Sequence, residues 1–302
     1  MHSSRIIAED DGYMITYHKN EENASDKVIL SFGGAPSNKT QMGFGSRFIL
    51  SMGYDHIFVA QEELSQYQKL SLEEFTESVS PVLDGKNVYT YGSSLGAYAA
   101  IYYGGSIDAH IIASAPKNSA HSSMKTRQFQ HLDFMHKELS EVPKSSKRPL
   151  ILHDPYRKIE TDYINNHVLP VYPDSRVMEF PFAGHEVLRT LKESGVLKEF
   201  IATYIESGEC IPVQLKTEDS HIWHTEKGRF YAKNLNLERA VTHFQKSVEL
   251  SINKHNVSGL ARLYFDMNEL QKARTLINDY KNATGSLNGI SPRLLKSLGI
   301  KS

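Results

Sequence analysis

The chain has little cysteine, no long apolar run and almost no net charge. Its 302 residues include one cysteine, Cys210, so an internal disulfide cannot form and no Cys/His cluster has zinc-ligand spacing. No stretch approaches the roughly 18 consecutive apolar residues that a membrane-spanning helix requires. The first residues also lack an apolar segment of signal-peptide length. We therefore expect a cytoplasmic protein without a membrane span.

The charge pattern and the missing motifs exclude further classes of function. A formal net charge of −1 gives no long-range field to hold a nucleic acid. The longest basic cluster, residues 144–148, is short and is typical of a solvated loop. The chain contains no P-loop, no G-x-G-x-x-G and no H-E-x-x-H. We predict no nucleic-acid partner, no cofactor and no metal.

The first two-thirds of the chain alternates short apolar runs with amphipathic stretches. Runs bounded by glycine or other turn residues are typical of buried strands, and the stretches between them have helical spacing. The predicted strands are Tyr13–His18, Lys27–Phe32, His56–Ala60, Asn87–Tyr91, Ala109–Ser114, Pro149–His153 and Arg176–Phe180. We also expect a helix near Gln128–Leu139. This alternation predicts an α/β fold, a mostly parallel sheet with helices on both faces, over a domain of residues 1–215.

The last third of the chain has a different pattern, without strand-like runs. Leu237–Ala240 (LERA) is echoed by Leu270–Ala273 (LQKA) at an offset of 33 residues, close to the tetratricopeptide period. We predict a small all-α region of helical hairpins over residues 221–302, resembling tetratricopeptide units. These helices offer a surface for a protein partner.

A candidate nucleophile lies at the centre of a G-x-S-x-G motif. Ser94 stands between Gly92 and Gly96, an apolar strand runs into the motif, and a helix rich in small residues follows it. A serine on such a strand-to-helix turn is exposed, and the amides of the following helix favour developing negative charge. This context predicts a nucleophile elbow.

Two further segments supply partners for this serine. The loop Gly33-Gly34-Ala35 follows an early strand and predicts an oxyanion hole formed by the amides of Gly34 or Ala35 and of Leu95. His185 follows Gly184 after the last predicted strand, where a general base would receive the serine proton.

The acid that should orient His185 is less clearly marked. It is expected after the Pro149–His153 strand, and Asp154 at the strand end is our first choice. Glu160 and Asp162 are the alternatives, although Asp162 could equally cap a helix.

These residues resemble the α/β-hydrolase superfamily over about residues 10 to 205. Three segments are similar to a bacterial hydrolase-like group associated with polysaccharide and glycoconjugate genes. They are GFGSRFILSMGYDHIFV, YGSSLGAYAA and AGHEVLRTLKESGVL. The resemblance implies esterase, deacylase or acyltransferase chemistry on an acylated, sugar-linked or other small-molecule ester.

Three hypotheses follow for the function. The first is a serine esterase or deacylase, in which water resolves an acyl-enzyme. The second is an acyltransferase that uses the same triad with a hydroxyl acceptor. The third is a non-catalytic interaction protein that keeps the hydrolase fold. The segment of residues 116–148, which we call the insertion, is strongly polar and argues against a long-chain lipid substrate.

Overall fold

The computed structural model describes residues 2–22 and 25–300 and divides the chain into two compact units. The first unit contains the residues up to Phe180 together with 185–188 and 198–211. The second contains residues 181–184, 189–197 and those from Pro212 onwards. The expected division of the chain between residues 215 and 221 stays a prediction.

A single eight-stranded sheet forms the centre of the first unit. Its strands, in chain order, are β1 (His2–Glu9), β2 (Tyr13–Asn20), β3 (Lys27–Phe32), β4 (Asp55–Gln61), β5 (Asn87–Ser93), β6 (His110–Ser114), β7 (Leu150–His153) and β8 (Arg176–Glu179). The spatial order is β1-β2-β4-β3-β5-β6-β7-β8. In this spatial order, every neighbouring pair from β4 to β8 is parallel, including both pairs that β3 makes. The pairs β1–β2 and β2–β4 are antiparallel. The predicted mostly parallel sheet is confirmed, and β1 is an additional strand.

The central strands are largely buried because helices cover both faces of a parallel sheet. Every residue of β4 is buried, as are all residues of β3 after Lys27. All strands from β3 to β8 point the same way, so their carboxyl ends lie along one edge of the sheet. Functional side chains in open α/β sheets gather at this edge.

Helices connect the strands, and further helices form the end of the chain. They are α1 (Ser46–Leu50), α2 (Leu72–Leu83), α3 (Leu95–Gly104), α4 (Lys158–Tyr163), α5 (Val187–Glu193), α6 (Leu197–Ser207), α7 (His221–Lys233), α8 (Leu237–Leu250), α9 (Lys254–Asp266), α10 (Leu270–Thr284) and α11 (Pro292–Ser297). A π-helical turn, Ile164–Val168, continues α4. None of the helices in the described part of the chain is both long and apolar enough to cross a bilayer.

Among its described residues beyond Ser220, the second unit has helices joined by turns and loops and no strand, which confirms the predicted all-α region. Its core surrounds the fully buried ring of Phe244 on α8. A Cβ at Gly228 or Gly259 would lie within 2.9 Å or 2.4 Å of that ring, so both positions require glycine for close helix packing. The relation to tetratricopeptide repeats stays a prediction.

The helix expected near Gln128–Leu139 is wrong. The structure has only short 3₁₀ helices there, at Arg127–Phe129 and Leu139–Glu141. Between them His136 is buried against the ring of Tyr102, with ring centroids 4.2 Å apart. Tertiary packing of these side chains therefore overrides the local helical pattern.

Candidate active site

Ser94 occupies a sharp turn between β5 and α3. Its backbone has φ 57° and ψ −120°, a conformation that L residues seldom adopt and that functional sites commonly retain. The turn is fixed on both sides, because the Ser94 amide donates to Ser114 O at 2.9 Å and Ser94 O accepts from Lys117 N at 3.1 Å. Ser94 as a whole is half-buried.

The glycines that flank Ser94 are required by close backbone approach. A Cβ on Gly92 would lie 2.0 Å from the carbonyl oxygen of Gly96, and a Cβ on Gly96 would lie 2.5 Å from that of Phe32. No side chain fits at such distances. The G-x-S-x-G spacing therefore lets β5, α3 and the end of β3 meet around the serine.

His185 lies beside this serine. Its Nε2 is 2.8 Å from Ser94 Oγ, within hydrogen-bonding distance. The residue follows β8, whose end is held to β7 by a 2.8 Å hydrogen bond from Phe180 N to His153 O. The sequence prediction of a Ser94–His185 pair thus corresponds to two side chains in direct contact.

Glu160, in the first turn of α4, is the carboxylate that contacts His185. Its Oε1 lies 3.0 Å from His185 Nδ1, and its side chain is only 2% exposed. In this arrangement Nδ1–H donates to the carboxylate, so Nε2 is free to accept the serine proton. The guanidinium of Arg157 is the second partner, with Nε 3.3 Å from Glu160 Oε2.

The pKa of Glu160 reflects opposing effects. Burial raises the pKa of the carboxyl, but the hydrogen bond from His185 and the charge of Arg157 outweigh it and hold the pKa below its usual value. The carboxylate is therefore ionised at neutral pH, as required to stabilise a histidine that gains a proton.

The structure does not support Asp154, our first choice for the acid, in that position. Asp154 ends β7, and its Oδ1 accepts the amide of Tyr156 at 3.0 Å while its carbonyl accepts that of Arg157 at 3.0 Å. Asp154 thus closes the turn that leads into α4, and this turn brings Glu160 to the histidine. The other alternative, Asp162, pairs with Lys158 at 2.6 Å and has a half-exposed side chain.

The strand order, the parallel sheet and the serine at the β5–α3 turn together decide the fold. The chain has the α/β-hydrolase fold.

Several solved structures with this fold are similar to the chain at low identity. An acetyl xylan esterase from Thermoanaerobacterium is 10% identical, with a TM-score of 0.43 over 62% of this chain and 78% of that one. A dienelactone hydrolase from Anabaena variabilis is 12% identical, with a TM-score of 0.47 over 68% and 97%. A lidless serine hydrolase from Xanthomonas campestris is 14% identical, with a TM-score of 0.43 over 70% and 96%. No protein-family model and no curated protein matches the chain.

The loop after β3 contains two backbone amides, those of Gly34 and Ala35, for which the described residues provide no acceptor. Gly33 O accepts from the Tyr67 hydroxyl at 3.1 Å, and Gly34 O accepts from Gln61 Nε2 at 2.9 Å. Because a trans peptide directs N–H opposite to C=O, these bonds also fix the amides of Gly34 and Ala35. Among the hydrogen bonds of the described residues, none engages those two amides or that of Leu95.

Three supporting residues of the site were not predicted from the sequence. Arg157 pairs with the acid, while Gln61 and Tyr67 hold the Gly33–Gly34 carbonyls. Gln61 directly follows the apolar run His56–Ala60, and an amide at the end of a predicted strand is a sequence signal that could have indicated such a role.

Proposed function

We propose that this α/β-hydrolase is a serine-dependent carboxylic ester hydrolase, an esterase or deacylase. One observation carries the proposal, the continuous hydrogen-bonded series Ser94 Oγ, His185 Nε2, His185 Nδ1 and Glu160 Oε1 at 2.8 and 3.0 Å. A hydroxyl in contact with a base that is itself oriented by a carboxylate is the arrangement of an activated nucleophile.

In the proposed acylation step, Ser94 Oγ attacks the ester carbonyl carbon while its proton passes to His185 Nε2. The carbonyl oxygen becomes an oxyanion, and the ionised Glu160 stabilises the imidazolium. Collapse of the tetrahedral intermediate breaks the bond to the leaving alcohol, which takes the proton from His185. The products of this step are the free alcohol and an acyl-enzyme on Ser94.

We assign the oxyanion hole to the backbone amide of Leu95 and to that of Gly34 or Ala35. The support is that no described residue accepts from these donors and that Tyr67 and Gln61 hold the peptides of Gly34 and Ala35. Leu95 also begins α3, whose N-terminal amides favour negative charge. Donors fixed before the reaction stabilise charge without reorganising.

In the proposed deacylation step, a water molecule replaces the alcohol. His185 removes a proton from the water as its oxygen attacks the acyl carbon, and then returns the proton to Ser94 Oγ as the carboxylic acid leaves. The sequence resemblance to a group associated with polysaccharide genes supports acyl esters of sugars as the substrate class.

The test is covalent labelling with a fluorophosphonate together with hydrolysis of p-nitrophenyl acetate. We expect the wild type and Ser93→Ala, which removes the neighbouring hydroxyl, to be labelled at Ser94 and to release nitrophenol. Ser94→Ala should lose both signals. Labelling of Ser94→Ala to the wild-type extent would refute the assignment of the nucleophile. A wild type that forms the acyl-enzyme but passes it to added sugar hydroxyls in preference to water would indicate an acyltransferase.

A further inference from the structure

Three side chains that are far apart in the sequence converge in the first unit. His121 precedes the 3₁₀ helix Ser122–Met124, Glu138 precedes the 3₁₀ helix Leu139–Glu141, and His167 lies in the π-helical turn after α4. Each offers one ligand atom, and these three atoms all lie within 4.8 Å of one another. Two imidazoles and a carboxylate are a common ligand set for Zn²⁺.

The spacing of the donors fits a shared ion better than direct hydrogen bonds. Glu138 Oε2 lies 3.5 Å from His121 Nε2 and 3.6 Å from His167 Nδ1. A strong charge-assisted hydrogen bond would bring such atoms to about 2.8 Å. Ligands at about 2.1 Å from a tetrahedral metal are instead separated by roughly 3.4 Å, the edge of the tetrahedron.

The contacts of His121 fix the orientation of its ring. Its Nδ1 accepts the backbone amide of Ser123 at 3.2 Å and lies 2.8 Å from Ser123 Oγ. Binding of an ion through Nε2 requires the ring proton to move to Nδ1, which then donates to Ser123 Oγ, and a hydrogen bond of this kind commonly orients metal-bound histidines.

The ligands stand on a packed framework but remain open to solvent on one side. The side chain of His121 is 3% exposed, and its ring meets that of His167 edge-on at 4.7 Å. The ring of His167 also stacks on the buried Tyr163 at 5.1 Å. Glu138 and His167 have side chains 49% and 26% exposed, which gives an ion a path of entry and leaves room for water as a fourth ligand.

The π-helical turn determines where His167 points. Leu169 N donates to Ile164 O at 2.9 Å, five residues earlier. His167 lies within this wider turn, and such turns occur frequently at functional sites.

We propose that His121, Glu138 and His167 bind one divalent transition-metal ion, Zn²⁺ in the first instance, with water completing a tetrahedral site. The ion ties the insertion to the helical segment that begins with α4. This site is separate from the proposed hydrolase function and does not depend on it.

The experiment is a titration of the chelator-treated full-length protein with ZnCl₂, followed by calorimetry and by thermal unfolding. The wild type should bind one ion at this site and unfold at a higher temperature with Zn²⁺ present. His167→Asn and Glu138→Gln should each bind Zn²⁺ more than about 100-fold more weakly, since loss of even an outer-shell partner costs 10- to 100-fold. The matched control is His131→Gln, which removes an exposed histidine from the same insertion and should leave binding unchanged.

Co²⁺ provides a readout of geometry, because tetrahedral Co²⁺ has intense visible absorption bands. We expect these bands in the wild type and in Ser94→Ala, and their loss in Glu138→Gln. The proposal is overturned if Zn²⁺ binds the wild type no more tightly than His167→Asn, or if the Co²⁺ spectrum is the same in Glu138→Gln. Because Ser94→Ala retains the metal ligands, failure of the ester-hydrolase assignment leaves this test intact.

Discussion

Replacing Glu160 by glutamine tests how the candidate triad works. The substitution keeps the size of the side chain and removes the negative charge that faces His185 Nδ1 at 3.0 Å. The amide group no longer compensates the positive charge on the imidazolium, and its NH₂ group favours the wrong tautomer of His185 when it faces Nδ1. We therefore expect Glu160→Gln to retain its fold and to lose most of its ester turnover.

The size of the loss follows from the charges. Opposite unit charges about 4 Å apart interact by about 4 kcal/mol at an effective dielectric constant of about 20. Since about 1.36 kcal/mol in the barrier corresponds to tenfold in rate, this interaction is worth about a thousandfold. The corresponding carboxylate-to-amide change in a serine protease, which combines the charge and tautomer effects, lowers kcat about 10⁴-fold. We expect kcat to fall between about 10³- and 10⁴-fold.

The assay is the steady-state release of nitrophenol from saturating p-nitrophenyl acetate. Asp162→Asn is the matched control on the same helix, because its salt bridge with Lys158 is solvent-exposed and contributes little. Asp154→Asn is the second control, since an asparagine oxygen can still accept the Tyr156 amide. Both controls should keep near-wild-type turnover. Thermal unfolding of each variant separates loss of catalysis from loss of the Arg157–Glu160 ion pair.

Two outcomes would refute this reasoning. If Glu160→Gln retains wild-type turnover, the carboxylate has no catalytic role. If Asp154→Asn loses several orders of magnitude while Glu160→Gln does not, the histidine takes a different partner during the reaction.

Two stability predictions follow from buried groups. Gly92→Ala should lower the free energy of unfolding by about 3 kcal/mol in urea titrations, because its Cβ would lie 2.0 Å from Gly96 O. If the variant keeps the wild-type free energy of unfolding, the turn can relax and the prediction is wrong. Burial lowers the pKa of His136 to about 4, so the unfolded chain takes up a proton first as the pH falls from 6.5. This residue should therefore remove about 3 kcal/mol of stability between pH 6.5 and 4, and His136→Gln, measured over the same range, should lose that part of the pH slope. An unchanged slope would contradict it.

Local patterns were sufficient for seven of the eight strands and for the turn that carries Ser94. Lys27–Phe32 is predicted and observed with the same bounds, because a short apolar run ending at two glycines has few other structures available. Ser94 could be identified because the elbow is built from neighbouring residues, with Gly92 and Gly96 each two positions away. The expected helix near residues 128–139 failed for the opposite reason, since contacts of His136 with distant tyrosines decide that backbone.

The sequence by itself determined the fold class and the positions of Ser94 and His185 after their strands, because strand and turn preferences act over a few adjacent residues. It ranked Asp154 above Glu160, since distance along the chain from β7 was the only guide. The tertiary structure reversed that order. The chain turns at Asp154 before α4 begins, and this places Glu160, in the first turn of α4, beside His185. The grouping of His121, Glu138 and His167 likewise arises only when the insertion packs on the helical segment after β7, since contacts between segments far apart in the chain leave no local pattern in the sequence.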